Sequence, residues 1–302
     1  MNSRRDDAAI ASWLRARSGR AFAVDGATDA GGGTFHRCLR WRSTEGGDAF
    51  VKVAPVANLA AFAAEAEGLA ELAEARALRV PTVLAVGEVD ARSVLALEWL
   101  ELVATGGSDN RFQASLGEGL AMQHRVTGPH HGWHRDNTIG ATPQHNDPDP
   151  DWVHFFTQRR LGVQLDLALR NGLDGGIVER GRELCASCGA FFSSYRPVPS
   201  LLHGDLWSGN YGREAVTGEP VVFDPAVYYG DRETDLAMTR LFGGFGPAFY
   251  AAYQAAWPLD QAAGTRRVLY NLYHVLNHFN LFGGGYGRQA AGMIDRLLAE
   301  FR

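Results

Sequence analysis

The sequence predicts an α+β chain of two lobes: a small antiparallel sheet with one main helix over residues 1-99, then a larger, mostly helical lobe over 100-302. Two observations predict it. Short extended runs separated by turn-rich clusters fill the first third, interrupted by one long Ala/Glu/Leu-rich segment. After about residue 110 the pattern changes to helices almost to the end.

Residues 8-18 read as a short amphipathic helix carrying Ile10, Trp13 and Leu14. Phe22 and Val24 follow, then a Gly31-Gly32-Gly33 turn, an extended run Phe35 to Trp41 and a second one from Ala49 to Ala54, which together make a hairpin. Alternation puts Phe50, Lys52 and Ala54 on one face and Val51 and Val53 on the other. Asn58 to Leu78 is a helix with Asn58 as its N-cap. At ~100° per residue its apolar stripe is Leu59, Phe62, Ala66, Leu69 and Leu72, and Glu65 falls inside that stripe. A carboxylate on a buried face needs a partner, and Lys52 on the preceding strand is the candidate. Strands near Thr82-Val89 and Ser93-Trp99 complete the first lobe. Helices are expected near 111-125, 151-171, 177-192, 234-256, 265-282 and 288-301.

Composition excludes several classes. A net charge of -5 argues against a general nucleic-acid binder, and no apolar run approaches the ~18 residues of a membrane span. The first residues lack the apolar core of a signal peptide. Three cysteines make no disulfide framework, and the reading is cytoplasmic. Cys185-x-x-Cys188 lies in a helical segment with no second Cys pair, and the many histidines of 124-154 lack metal-ligand spacing. Substrate contact or surface placement is expected for those histidines.

The chemistry concentrates in His203-Gly204-Asp205-Leu206-Trp207-Ser208-Gly209-Asn210, followed by Asp224 after an apolar strand. Phosphoryl transfer from ATP needs a carboxylate to orient and deprotonate a hydroxyl, and an amide and a second carboxylate to hold Mg2+. Asp205 fits the first role, Asn210 and Asp224 the others. Lys52, oriented by Glu65, would sit on the phosphates, with Gly31-Gly33 covering them through exposed N–H groups. Glu98, Trp99 and Leu100 fall at the hinge that would hold the adenine. Asp235 is expected to cap the next helix or tie down the catalytic loop. Of the aromatics here, Trp207 is the one for which a core role is least suited, and it is the candidate substrate contact.

This constellation gives the fold its fuller description, a two-lobed protein-kinase-like fold. Trp207 stands where protein kinases carry a Lys, and Asp224-Pro225-Ala226 replaces Asp-Phe-Gly, which points to the small-molecule branch. The stretches Leu202–Asn210, Asp224–Thr239, Leu241–Phe245 and Leu272–His278 resemble the fructosamine kinase (ketosamine-3-kinase) family, as do Phe62-x-x-Glu65-x-x-Gly68-Leu69 and Asn137–Gln144. The resemblance implies an ATP- and magnesium-dependent enzyme that phosphorylates the 3-hydroxyl of ketosamines, free or on glycated proteins. The 3-phosphate then eliminates and frees the amine, which is deglycation. Many relatives have a Cys in the glycine-rich loop; Gly33-Thr34-Phe35 stands here. His131-Gly132-Trp133 stands where relatives often have Phe-Gly. The alternatives are an aminoglycoside- or choline-type phosphotransferase and a nucleotide-binding pseudokinase.

Overall fold

Gly19 stops the first helix, α1 (Ser3–Ser18): its φ of +71° is one that glycine adopts without strain, and its N–H closes on the Arg15 carbonyl. In the computed structural model, which describes residues 3–31, 36–103 and 108–301, the chain divides into two units. One comprises Met1–Ala104 and Gly212–Pro225, the other Thr105–Tyr211 and Ala226–Arg302.

The first unit is built on a five-stranded antiparallel sheet of β1 (Phe22–Asp29), β2 (Arg37–Ser43), β3 (Ala49–Pro55), β4 (Val83–Val89) and β5 (Arg92–Glu98), in the order β1-β2-β3-β5-β4. The alternation expected in β3 is present. Val51 and Val53 join Ile10, Leu14, Trp41 and Val94 in the core under α1, while Lys52 turns to the other face and α2 (Leu59–Glu74). Trp41 is fully buried and satisfies its indole N–H on the Ala23 carbonyl, 2.8 Å away. Of the predicted stripe on α2, Phe62, Ala66, Leu69 and Leu72 are buried. Asn58 stands at the N-cap position but makes no side-chain capping bond, because a 3-10 turn, Val56–Asn58, leads into the helix instead. The short β6 (Leu102–Val103) pairs with the strand Tyr211–Glu214, and Val221 bridges to Arg79. Through these contacts residues 212–225 rejoin the first unit.

The second unit packs α3 (Asn110–His124) against a later helix, then continues through α4 (Trp152–Phe155), α5 (Gly162–Arg170), α6 (Gly175–Ser187), α7 (Glu233–Leu241), α8 (Pro247–Ala256), α9 (Ala263–Phe282) and α10 (Tyr286–Ala299). The partner of α3 is α8, and Gly117 lets them come close, since a Cβ there would lie 2.3 Å from the Phe249 carbonyl oxygen.

Two helices expected to be single are not. The span 151-171 contains a π-helical stretch, Phe156–Leu161, that carries the fully buried Arg160. Its guanidinium stacks on Phe155 and Tyr228 and donates to the His145 carbonyl and to Asn146 Oδ1. The span 234-256 breaks at Phe242–Gly246, where Gly243 and Gly244 take φ of +75° and +96° and Pro247 restarts the chain as α8. Short strands unseen in the sequence appear at Asn137–Ile139, Thr142–Gln144, Ser200–Leu202 and Tyr228–Gly230. No helix among the described residues is long and apolar enough to cross a membrane.

His131 and His274 are buried, each with an Nδ1 that has no hydrogen-bond partner among the described residues, and burial pushes their pKa values down to about 4 and about 3. Unfolded imidazoles take up a proton near pH 6.5. Between pH 6.5 and those lower values the unfolded chain therefore binds more protons. The stabilisation is complete above pH 6.5 and is lost as pH falls. Urea titrations at pH 7 and pH 5 should show His274→Gln reducing the acid-induced loss of stability by about 2 kcal/mol. An unchanged difference between the two pH values would show that His274 titrates normally in the fold.

Candidate active site

In the first unit three charged groups meet. Register places Lys52 in mid-sheet, opposite Leu95 on one side and Cys38 on the other. Its Nζ donates to Glu65 Oε1 and Asp224 Oδ1, each at 2.7 Å. Burial alone would lower the lysine pKa, but Asp224 and Glu65 more than offset it and hold Lys52 protonated. Burial raises the Glu65 carboxyl above its ordinary range, and Lys52 pulls it back in part. Asp224 keeps nearly half of its side chain exposed and adopts a φ of +55°, the left-handed region that Asp tolerates better than most residues. Cys38 lies in β2, buried, its thiol pushed up by burial.

The other expected nucleotide-side residues are placed as follows. Gly31 has a φ of +69° and donates its N–H to Asp29 Oδ1, 2.8 Å away; Gly32 and Gly33 lie outside the described residues. Glu98 ends β5, its carboxylate bound by Arg79 at 2.7 Å and by the Thr82 N–H at 2.6 Å. Trp99 donates its backbone N–H to the Asp48 carbonyl and lies under the Arg40 guanidinium, 4.6 Å from the ring centre. Leu100 follows in the link to β6, beside a cavity of about 410 Å³ that Arg40, Trp99, Glu101 and Glu214 also line.

The second unit holds the 203–210 loop. The strand Ser200–Leu202 enters it, and the fully buried His203 passes to Gly204, whose φ is +83°. Only glycine fits there, since a Cβ would lie 2.0 Å from the Ala226 carbonyl oxygen. Asp205 follows, partly exposed. The Asn210 side-chain amide donates to the Asp205 carbonyl at 2.8 Å and to its carboxylate at 3.2 Å. With its NH₂ committed in that direction, the Asn210 amide oxygen is turned the other way. An amide oxygen and a carboxylate are the hard donors that magnesium prefers, so Asn210 and Asp224 suit that ion by their chemistry. Trp207 is 38% exposed, its indole laid so closely over Gly209 that a Cβ there would meet the ring at 2.3 Å.

Asp235 has the tying-down role. Its carboxylate accepts the N–H groups of His203 at 2.8 Å and Gly204 at 2.9 Å, together with His124 Nε2 at 3.1 Å. His124 was expected to touch substrate or lie at the surface; it is instead fully buried, its Nδ1 on the Tyr253 hydroxyl. His131 is also buried, whereas His145 and His154 pair near the surface with Asp136 and Asp149. Asn137 and Gln144, which the sequence marks without giving a role, bind the backbone carbonyls of Val227 and Ala226. Burial pushes Cys185 and Cys188 up to about 11 and about 12, so neither thiol ionises readily.

Fold and residues together define an ATP-dependent phosphotransferase of the protein-kinase-like class. Residues 7–300 match the fructosamine kinase family, and the chain belongs to it. It is 42% identical to a probable ketoamine kinase of Synechocystis, over 96% of both chains. It is 39% identical to the chloroplastic protein-ribulosamine 3-kinase of Arabidopsis thaliana, over 96% of this chain and 87% of that one. The crystal structure of a candidate fructosamine-3-kinase from Haemophilus somnus superposes with a TM-score of 0.87 at 28% identity, covering 96% and 97% of the two chains. Aminoglycoside phosphotransferase APH(4)-Ia, 15% identical at a TM-score of 0.65 over 96% and 98%, shares the fold.

The lysine cluster makes a stability prediction. Lys52→Met strands the buried Glu65 and should cost about 3 kcal/mol. Adding Glu65→Leu should recover most of that loss, read from urea unfolding of the two single variants and the double variant. Additive losses would show that the pair is not coupled.

Proposed function

We propose that this chain uses ATP to phosphorylate the 3-hydroxyl of ketosamines, on small molecules or on glycated proteins, so that the 3-phosphate eliminates and the amine is released. The observation that carries the reading is the Lys52–Glu65–Asp224 cluster in a member of the fructosamine kinase family. A buried lysine kept charged by two carboxylates is built to meet phosphate oxygens, and a binding-only descendant has no need of it.

Each residue has a role in this reading. Asp205 accepts the hydrogen bond of the 3-hydroxyl and takes its proton as that oxygen bonds to the γ-phosphorus and the bond to the ADP oxygen breaks. The Asn210 amide, bound to the Asp205 carboxylate, limits how that carboxylate can turn. Lys52, positioned by Glu65, neutralises phosphate charge. Asn210 and Asp224 would hold Mg2+, which supplies further positive charge to the transferring group. Gly31 would lie over the phosphates, and the Glu98-Trp99-Leu100 segment meets the adenine. Trp207 stacks on the acceptor, against its sugar or its amine side, where protein kinases carry a lysine.

The test is coupled ADP release with magnesium-ATP on ribuloselysine and fructoselysine, with choline and kanamycin as control acceptors. Turnover of a ketosamine is expected, and Asp205→Asn should lower kcat by ~10²–10⁴-fold. Turnover confined to kanamycin or choline would refute the substrate assignment. Nucleotide binding with no turnover on any acceptor would refute the enzyme itself.

A further inference from the structure

A ketosamine differs from a plain ketose by the amine on C1, close along the carbon chain to the reacting 3-hydroxyl. An alkylamine of this kind is protonated at neutral pH. A site that selects ketosamines must recognise that cation, and proteins do so with carboxylates or with aromatic faces.

Beside the catalytic loop the second unit offers aromatic faces. The Trp207 ring centre lies 6.3 Å from that of Phe242, edge to face, and Phe242 lies 4.9 Å from His278. The series continues from His278 to Phe282 at 5.7 Å and to Tyr286 at 5.2 Å. Trp207, Phe242 and Phe282 are 38%, 41% and 52% exposed. Tyr228, Tyr270 and Phe249 in the same unit are buried, so this face is left open where comparable rings are covered. Its geometry is fixed. Gly209 seats the Trp207 indole, and the Gly243-Gly244 break that ends α7 presents Phe242 at the helix terminus.

His278 adds a directed polar atom. Its Nδ1 lies 2.8 Å from the His274 carbonyl oxygen, one helical turn earlier on α9. A carbonyl only accepts, so Nδ1 carries the proton, and in the neutral ring Nε2 carries the lone pair. Burial lowers the pKa of His278 and favours that neutral ring. A neutral imidazole can accept a hydrogen bond from an ammonium that a protonated one would repel.

We infer that Trp207, Phe242 and His278 form the subsite that reads the protonated amine of the acceptor, through the aromatic faces of the first two and the Nε2 lone pair of the third. Phe282 lies beside them for the apolar chain that the amine carries. This inference rests on the ketosamine reading and makes Phe242 and His278 specificity-determining residues, neither of which takes part in phosphoryl transfer.

The test compares 1-butylamino-1-deoxyfructose with its uncharged 1-O-butyl ether. The amine is followed by ADP release, and the ether by its inhibition constant against the amine. The preference is the ether's inhibition constant divided by the amine's KM, both from one preparation, so partial unfolding cancels. Phe242→Leu keeps apolar bulk but removes the ring, and should lower the preference by roughly fivefold. Phe242→Tyr should restore it, and His278→Phe, which keeps a ring but removes the acceptor nitrogen, should lower it by a similar factor. An unchanged preference in Phe242→Leu and His278→Phe, with the wild type active on the amine, would overturn the inference and leave the ketosamine reading standing. An equal loss for amine and ether would overturn it as well, by showing a purely structural role. A wild type inactive on every ketosamine would instead refute the ketosamine reading, and the inference with it.

Discussion

Asp235 lies under the 203–210 loop with its carboxylate almost wholly out of water, and three donors converge on it: the backbone N–H groups of His203 and Gly204 and the imidazole of His124. Burial would push this carboxyl up, but the His124 hydrogen bond and the backbone donors bring it below its ordinary range, so it remains ionised. Charge-assisted bonds to two consecutive amides fix the peptide planes just before Asp205. Gly204 then permits the backbone to lie against Ala226, whose N–H closes on the His203 carbonyl at 2.8 Å. The direction in which Asp205 points follows from those planes. The position of Trp207 follows in turn, because the loop continues through a tight turn from the Asp205 carbonyl to the Trp207 N–H.

Several other buried charges among the described residues have partners of their own. Arg266, fully buried, binds both oxygens of Glu233 and one of Asp260. Asp231 receives the hydroxyls of Tyr195 and Tyr270. Arg160 is held by three oxygens and two aromatic faces. Such groups add little net stability compared with apolar replacements. Their partners are directional: Arg266 ties α9 to Glu233 on α7, and Arg160 ties the π-helical stretch to residues 145 and 146. The Lys52 cluster of the first unit differs, since one of its carboxylates, Asp224, is about half exposed and thus accessible to a ligand.

The parts of this arrangement that were legible in the sequence are those encoded by short spacing. Asp205 and Asn210 share one loop, and the Asn210 amide reaches Asp205 directly. Glu65 stood out because it violated the periodicity of its own helix, and Lys52 because a strand alternates. What was not legible depends on distant partners. His124 meets Asp235 across 111 residues, and nothing local distinguishes it from the other histidines of its region. Nothing in the sequence around Arg160 marks it; its burial in the π-helical stretch depends on His145, Asn146 and Tyr228. The division of 234-256 into two helices had a visible signal in Gly243, Gly244 and Pro247, and the helical spacing on either side masked it.

The return of residues 212–225 to the first unit has a consequence for the order in which the protein is made. Lys52 and Asp224 are separated by 172 positions, so a chain growing from its N-terminus completes the sheet, α1 and α2 long before the second carboxylate emerges. The Arg79 carbonyl likewise waits for the Val222 N–H, and β6 for Arg213 and Glu214. During synthesis the first unit is therefore a sheet with one short strand unpaired and one lysine served by a single carboxylate. Contacts of such long separation form slowly, and domains that lack their last segment expose edges to which other chains can add. The stretch that pairs β6 is also the one that delivers Asp224.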